Sequence, residues 1–327
     1  LFAYHLKFDL ERKAWCNRDR FVLSAGHGSA LLYSTLYYLL DEFNLEELKN
    51  FRKINSQCTG HPEYNLNNRI EVTTGPLGEG FATSVGLAIG EKYLESTFNK
   101  KKNIVFDYKI YTLVSDGDLM EGISYEAASL AGNLSLDNLI VLYDSNGVTA
   151  DGDLDKAMYE NIPDRFASMN WEVIKVKDGE NIGEISNAIE KAKKSKKPVL
   201  IEIKTTLGIY SKYEGTNYIH GAKLSKEDIT EIKNELGLRD IPFTVSNDSK
   251  EEMENMILSR NKEIYDKWQK DYELLDISIK NALEKIKNHD LSLDNINFDY
   301  IYSEEESESL RSISSKILNL LADSNPM

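Results

Sequence analysis

Short apolar runs alternate with amphipathic stretches between Phe21 and Lys204. The apolar runs are rich in β-branched and aromatic residues, which is typical of strands. Strands are predicted over residues 111–115, 139–143, 171–176 and 198–203. Helices are predicted between them, near residues 124–131, 162–169 and 182–194. Strand, helix and strand at this spacing predict an α/β fold, a parallel sheet with helices on both faces.

The pattern changes after Gly237, where a long charged stretch of helical composition runs to Asn288. The next segment, 290–306, is polar and acidic, which is typical of a linker. Apolar residues then recur at helical spacing from Ser309 to Ala322, and they predict an amphipathic helix.

These changes of pattern predict the domain organisation. We expect an α/β domain over 1–237, a helical and acidic linker region over 238–305, and the start of a truncated second domain over 306–327. The chain opens on Leu1 without an initiator Met, a basic stretch or a small-residue cleavage site. We therefore expect a partial chain of a two-domain protein.

The composition is strongly acidic. The 327 residues include 39 Lys and Arg and 54 Asp and Glu, which gives a formal net charge of −15. A field of this sign repels nucleic-acid phosphates and anionic membranes, so we expect neither nucleic acid nor a membrane as a partner. A phosphorylated ligand must be held by local donors or by a metal ion.

Other classes of protein are also disfavoured. The longest apolar runs fall short of the roughly 20 residues that span a bilayer. The chain has two cysteines, Cys16 and Cys58, too few for a disulfide framework or a four-thiolate metal site. A reducing, cytoplasmic location is therefore expected.

Polar residues follow two of the predicted strands. Asp116 and Gly117 come directly after the first, and Asn146 and Val148 come after the next. In a parallel sheet these two loops lie side by side at the carboxyl ends of the strands. A carboxylate, an amide oxygen and a backbone carbonyl suit magnesium or calcium that bridges to a diphosphate. An Asp-Gly pair is also common in a simple turn, so both readings stay open.

A glycine-rich segment, Thr74–Gly80, precedes a helical stretch that is predicted to begin at Phe81. Exposed amides at a helix start can face an anion. The same residues also suit a tight turn with no ligand. Three of the histidines, His27, His61 and His220, lie next to glycines in predicted loops. Imidazoles there can serve as turn residues, or they can exchange protons near neutral pH.

The paired Asp-Gly and Asn loops resemble the cofactor signature of thiamine-diphosphate enzymes. Further blocks extend the similarity, and together they resemble transketolases in order and approximate spacing. These further blocks are Asp19–Gly28, Thr59–Glu63, Glu71–Gly80 and Gly215–Gly221.

The resemblance implies thiamine diphosphate as cofactor, with Mg²⁺ or Ca²⁺. It implies that the metal set is Asp116, Asn146 and the carbonyl of Val148. The implied cofactor contacts are His27, Gly75, Pro76, Leu77, Gly117, Asn146 and His220. The implied catalytic residues, which face the substrate channel, are His61 and His220. His5 and His289 have no such context, and we expect them to be structural or on the surface.

The implied activity is transfer of a two-carbon ketol unit from a ketose phosphate to an aldose phosphate, a step of the pentose phosphate pathway. Members of the family are dimers with the cofactor between subunits. We therefore expect a homodimer in which this chain supplies the diphosphate and metal half of the site. The remaining half would belong to a second, pyrimidine-binding domain.

Two alternatives stay open. One is a related thiamine-diphosphate enzyme, of the deoxyxylulose-phosphate synthase type or a dehydrogenase component. The Gly60–Glu63 and Gly215–Gly221 blocks favour transketolase over these. The other is a non-catalytic transketolase-like subunit. A departure from the family is Ser115, where a glycine is usual, and at worst we expect it to weaken metal binding.

Overall fold

The computed structural model describes residues 1–40, 43–100, 103–221, 223–288 and 308–324. The chain forms two compact units, Leu1–Gln269 and Lys270–Met327. The strands are β1 (Arg20–Leu23), β2 (Ile110–Ser115), β3 (Leu139–Ser145), β4 (Val148–Thr149), β5 (Gly152–Asp153), β6 (Glu172–Val176) and β7 (Val199–Lys204). The α-helices are α1 (Ser29–Leu40), α2 (Leu45–Lys49), α3 (Glu79–Phe98), α4 (Asp116–Met120), α5 (Gly122–Asn133), α6 (Ile162–Ser168), α7 (Ile182–Ala192), α8 (Lys226–Glu235), α9 (Asn247–Glu273), α10 (Ile277–Lys287) and α11 (Leu310–Ser324).

Five strands form one parallel sheet in the order β1-β2-β3-β7-β6. The central strand β3 is buried over Leu139–Tyr143, as expected of a strand that is covered on both faces. Strands β4 and β5 form a separate antiparallel pair just after β3. The α/β fold predicted from the sequence is confirmed.

The two faces of the sheet pack against different helices. On one face, Ile140 and Leu142 of β3 join a buried cluster with Ile189 of α7 and Ile257 of α9. On the other face, α3 packs against β2 and β3. Each fully buried aliphatic side chain of this kind contributes about 1.5–3 kcal/mol through removal of apolar surface from water. Burial on both faces therefore holds the strand ends in a stable frame.

The strand register places the loops that carry polar residues next to each other. Ser115 at the end of β2 is the partner of Asp144 in β3, and Ser145 is the partner of Lys204 in β7. The segments that follow β2 and β3 therefore start at neighbouring points on the carboxyl edge of the sheet. This confirms the predicted side-by-side placement of the two loops.

The predicted elements agree with the structure within a few residues, with two instructive differences. Helix α3 begins at Glu79, with Gly78 as its N-cap at φ 79°, so Gly80 lies inside the helix and not before it. The long charged stretch contains two helices, because α9 ends at Glu273 and α10 begins at Ile277, with Asp276 in the N-cap position.

The predicted acidic segment, 290–306, lies outside the described residues, and the predicted domain boundaries at 237 and 305 stay predictions. Within Lys270–Met327, Leu283 of α10 is buried. Among the described residues, the structure contains no helix that is long and apolar enough to cross a membrane.

Candidate functional site

Several loops meet at the carboxyl edge of the sheet, and close backbone contacts join them. The N–H of Thr74 donates to the carbonyl of Pro62 over 3.1 Å. A Cβ added to Gly26 would lie 2.8 Å from Thr74 Oγ1 and 3.0 Å from the backbone N of Gly75. Glycine at position 26 therefore lets the loop after β1 approach the glycine-rich segment.

Asp116 is a buried carboxylate of this region, with 1% of its surface exposed. It is the first residue of α4 and follows directly from β2. The hydroxyl of Tyr143 donates to its Oδ1, and the N–H of Gly147 donates to its Oδ2 over 3.1 Å. Burial raises the pKa of the Asp116 carboxyl, although these two hydrogen bonds act in the opposite direction.

The loop that carries Asn146 and Val148 therefore contacts Asp116 through Gly147. The Asn146 amide donates from Nδ2 to Asp144 Oδ2 over 3.3 Å, and its Oδ1 accepts from the N–H of Val148 over 3.0 Å. The hydroxyl of Thr205, just after β7, donates to the other oxygen of Asp144. The structure thus brings the loops of all three predicted metal ligands together.

These oxygens suit a divalent cation of the magnesium or calcium class. A carboxylate, a carboxamide oxygen and a backbone carbonyl are hard donors, and three protein ligands leave room for phosphate oxygens and water. No group of three or more His, Cys, Asp or Glu side chains in the described part of the chain is placed to hold a metal ion. The predicted set contains one carboxylate, Asp116, and its role as a metal ligand stays a prediction.

Gly75 and Gly117, two of the predicted cofactor contacts, lie close to side chains of other loops at this edge of the sheet. A Cβ added to Gly75 would lie 3.4 Å from the Cγ of His61. A Cβ added to Gly117 would lie 3.0 Å from Cδ1 of Leu77. The backbone at both glycines is therefore closely approached by side chains of neighbouring loops.

Contacts place the three predicted histidines close to one another or to the glycine-rich segment. The rings of His27 and His220 are 5.5 Å apart between centroids, and His61 lies beside Gly75. Burial, and next the charge of His220, lower the pKa of His27. His27 therefore favours the neutral form, which can both donate and accept a hydrogen bond.

The remaining histidines fall elsewhere. His5 is buried against α7, where its ring nitrogens contact Glu190 and Ser186 at 2.9 Å each. His289 lies outside the described residues.

Asp118 has no predicted role, yet the structure places it where three of these loops meet. Its carboxylate accepts hydrogen bonds from Ser24, Gly78 and Ser115. A sequence signal was present, since Ser followed three residues later by an acidic residue is the pattern of a capping box. Ser115 and Asp118 form that box at the start of α4. The Ser115 hydroxyl, a departure from the usual glycine, bonds to Asp118.

A parallel α/β sheet that brings polar oxygen-bearing loops and a glycine-rich segment to the carboxyl ends of its strands is typical of diphosphate-binding domains. The chain belongs to the transketolase family, because the family model described as "Transketolase, thiamine diphosphate binding domain" matches residues 1–289. The predicted resemblance to transketolases is thereby confirmed.

Individual relatives agree with the family. The transketolase of Bacillus subtilis (strain 168) is 44% identical over 329 residues, covering 95% of this chain and 48% of the relative. The crystal structure of Campylobacter jejuni transketolase superimposes with a TM-score of 0.85 at 40% identity, over 98% of this chain and 49% of that one. A Pichia stipitis transketolase in complex with sedoheptulose-7-phosphate gives a TM-score of 0.86 at 34% identity, over 98% and 48%. The chain spans about half the length of these relatives.

Proposed function

We propose that this chain supplies the diphosphate and metal half of the active site of a transketolase, which transfers a two-carbon ketol unit from a ketose phosphate to an aldose phosphate. The observation that carries the proposal is the contact of the buried Asp116 carboxylate with the Asn146–Val148 loop, beside the Gly75–Leu77 segment. Family membership supports thiamine diphosphate as the cofactor.

In this proposal, Asp116, Asn146 and the carbonyl of Val148 hold Mg²⁺ or Ca²⁺. An acidic chain repels a diphosphate. A divalent cation between the carboxylate and the diphosphate attracts both anions and so removes this repulsion. The backbone of Gly75, Pro76, Leu77 and Gly117 faces the diphosphate and its surroundings. Asn146 contacts both the cation and the cofactor.

When bound, thiamine diphosphate supplies a ring that stabilises the carbanion needed for ketol transfer. The residues of this chain position the reactants and move protons. His27 lies beside the diphosphate, and its depressed pKa keeps the ring neutral as a hydrogen-bond donor. His61 and His220 hold and release protons at the sugar hydroxyls, and His220 also contacts the cofactor. The 5.5 Å separation of the His27 and His220 rings supports this shared placement.

The substrates are proposed to be sugar phosphates. The support is the complex of the Pichia stipitis relative with sedoheptulose-7-phosphate. We further propose a homodimer with the cofactor between subunits, working in the cytoplasm in the pentose phosphate pathway.

The decisive experiment is an assay of ketol transfer from xylulose 5-phosphate to ribose 5-phosphate by the full-length protein, with thiamine diphosphate and Mg²⁺. We expect turnover that is lost on chelation of the metal and restored by Mg²⁺ or Ca²⁺. Pyruvate-dependent condensation without ketol transfer would instead identify a deoxyxylulose-phosphate synthase. Absence of both turnover and metal-dependent cofactor binding would identify a non-catalytic subunit.

A further inference from the structure

The carboxylate of Asp118 links three loops at the carboxyl edge of the sheet through hydrogen bonds. Asp118 is fully buried, with 0% of its surface exposed. Its Oδ1 accepts from the hydroxyl of Ser24 over 2.6 Å and from the N–H of Gly78 over 2.9 Å. Its Oδ2 accepts from the N–H and the hydroxyl of Ser115, each over 2.9 Å. Segments that are 94 and 40 residues away in sequence thus meet at one side chain.

The chemistry of these four bonds requires a carboxylate. The hydroxyls of Ser24 and Ser115 can turn, but the backbone N–H groups of Gly78 and Ser115 can only donate. These two N–H groups face different oxygens of Asp118. An amide side chain has a single acceptor oxygen, so Asn at this position must point its NH₂ group at one of the two backbone donors. A buried donor would then lose its partner, which is costly.

Each of the three segments that Asp118 contacts adjoins a part of the proposed cofactor site. Ser24 precedes the turn that carries His27, Gly78 follows the Gly75–Leu77 segment, and Ser115 precedes Asp116. The packing around the cluster is tight, because a Cβ added to Gly80 would lie 2.6 Å from Cα of Ser24. The Ser24 hydroxyl also accepts from the N–H of Phe81 over 3.0 Å, which extends the cluster into α3.

We propose that Asp118 is a positioning residue that sets the spacing of the three loops around the cofactor diphosphate. Through Gly78 it holds the glycine-rich amides, and through Ser115 it holds the loop that presents Asp116. It acts on the ligand only through these groups. This inference rests on the proposed function, since it presumes that the loops receive thiamine diphosphate.

The chain contains a matched control at the opposite end of β1. Asp19 is also buried, with 5% of its surface exposed. Its two oxygens likewise accept from two backbone donors, the N–H groups of Lys7 and Lys109, each over 2.8 Å. Asn at position 19 therefore creates the same mismatch, but at the amino end of the sheet and away from the site loops.

The test compares D118N with D19N in the full-length protein. Calorimetry measures thiamine diphosphate binding at saturating Mg²⁺, and thermal unfolding measures stability. We expect both variants to have a lower Tm. We expect only D118N to bind the cofactor more weakly, by about 10- to 100-fold, the range typical of lost supporting contacts around a metal site. Hydrogen exchange should also become faster at Gly78 or Ser115 in D118N alone.

The outcomes separate the two proposals. Failure of the wild-type protein to bind the cofactor overturns the proposed function and this inference together. Wild-type binding with unchanged affinity in D118N, or with an equal loss in D19N, overturns the positioning role only. If D118N does not fold, Ser24→Ala removes one donor to Asp118, together with the acceptor of the Phe81 N–H, and we expect a smaller loss of affinity in the same direction. Unchanged affinity in folded Ser24→Ala would contradict the proposal.

Discussion

The backbone N–H of Gly147 donates a hydrogen bond to Oδ2 of Asp116 over 3.1 Å. The contact spans 31 positions of sequence and joins the loops that follow two neighbouring strands. It brings the anionic member of the proposed metal set against the loop that carries the other two members. The proposed metal chemistry follows from this meeting of two strand ends.

Replacement of Asp116 by Ala should abolish metal-dependent binding of thiamine diphosphate. The change deletes the single carboxylate of the proposed set, and neutral oxygens hold a divalent cation poorly. Calorimetry with cofactor and Mg²⁺ is the measurement. The D19N variant is a suitable control, since it alters a buried carboxylate outside the site. Wild-type affinity in D116A at saturating Mg²⁺ would show that the metal assignment is wrong.

Replacement of His61 by Ala should spare cofactor affinity and lower turnover of ketol transfer. We expect a loss of about 10²- to 10⁴-fold, the usual effect of removing a general acid or base. Steady-state kinetics and calorimetry on the same preparation separate the two quantities. His5→Ala is the control, because His5 packs against α7 and should affect stability without a comparable effect on turnover. Equal loss of affinity and turnover in H61A would assign His61 to cofactor binding.

Gly26 and Gly28 lie in the same turn, but their replacement by Ala should have different effects on stability. A Cβ at Gly26 would meet Thr74 Oγ1 at 2.8 Å and the backbone N of Gly75 at 3.0 Å, whereas a Cβ at Gly28 would meet Leu23 Cδ1 at 4.0 Å. Gly26→Ala must displace the glycine-rich segment, so we expect a loss of about 1–3 kcal/mol in the free energy of unfolding.

Gly26→Ala should also bind the cofactor more weakly. Gly28→Ala should change little in either the free energy of unfolding or the cofactor affinity. Urea unfolding and calorimetry on the two variants are the measurements, and similar behaviour of both would rule out a close approach at Gly26.

Glu91 of α3 should make stability depend on pH. Its side chain is buried, and Nδ2 of Asn138 donates to it over 2.6 Å. Burial raises the pKa of Glu91 to about 7 from an ordinary value of 4.5. The folded protein favours the protonated form of Glu91. The contribution of Glu91 to the free energy of unfolding is therefore fully present below the ordinary pKa and is lost as pH rises through about 7.

The Glu91→Gln variant removes this titration. Relative to it, the wild-type free energy of unfolding should fall as pH rises from about 4.5 to about 7 and then level off. Urea unfolding across this range is the measurement, with Glu231→Gln on the exposed face of α8 as a control that should follow wild type. Parallel profiles for wild type and Glu91→Gln would contradict the assignment.

Much of the fold was readable from local pattern. The predicted strand 139–143 is β3, Leu139–Ser145, and the predicted helix 182–194 is α7, Ile182–Ala192. Periodicity and β-branched composition report local backbone preference and burial, so elements of this kind are encoded within a few neighbouring residues. The placement of the Asp116 and Asn146 loops side by side also followed, because parallel strands share a carboxyl edge.

The Asp118 cluster could not be read in this way. Nothing near Asp118 in sequence points to Ser24 or Gly78, which meet it only because β1 and β2 are neighbours and α3 starts against them. The hydrogen bond from the Thr205 hydroxyl to Asp144 likewise has no local sequence signal, because it depends on β7 lying beside β3. Motifs along the chain specify which groups can bind or react. Strand order and packing specify which of them touch, because each such contact joins residues that are distant in sequence.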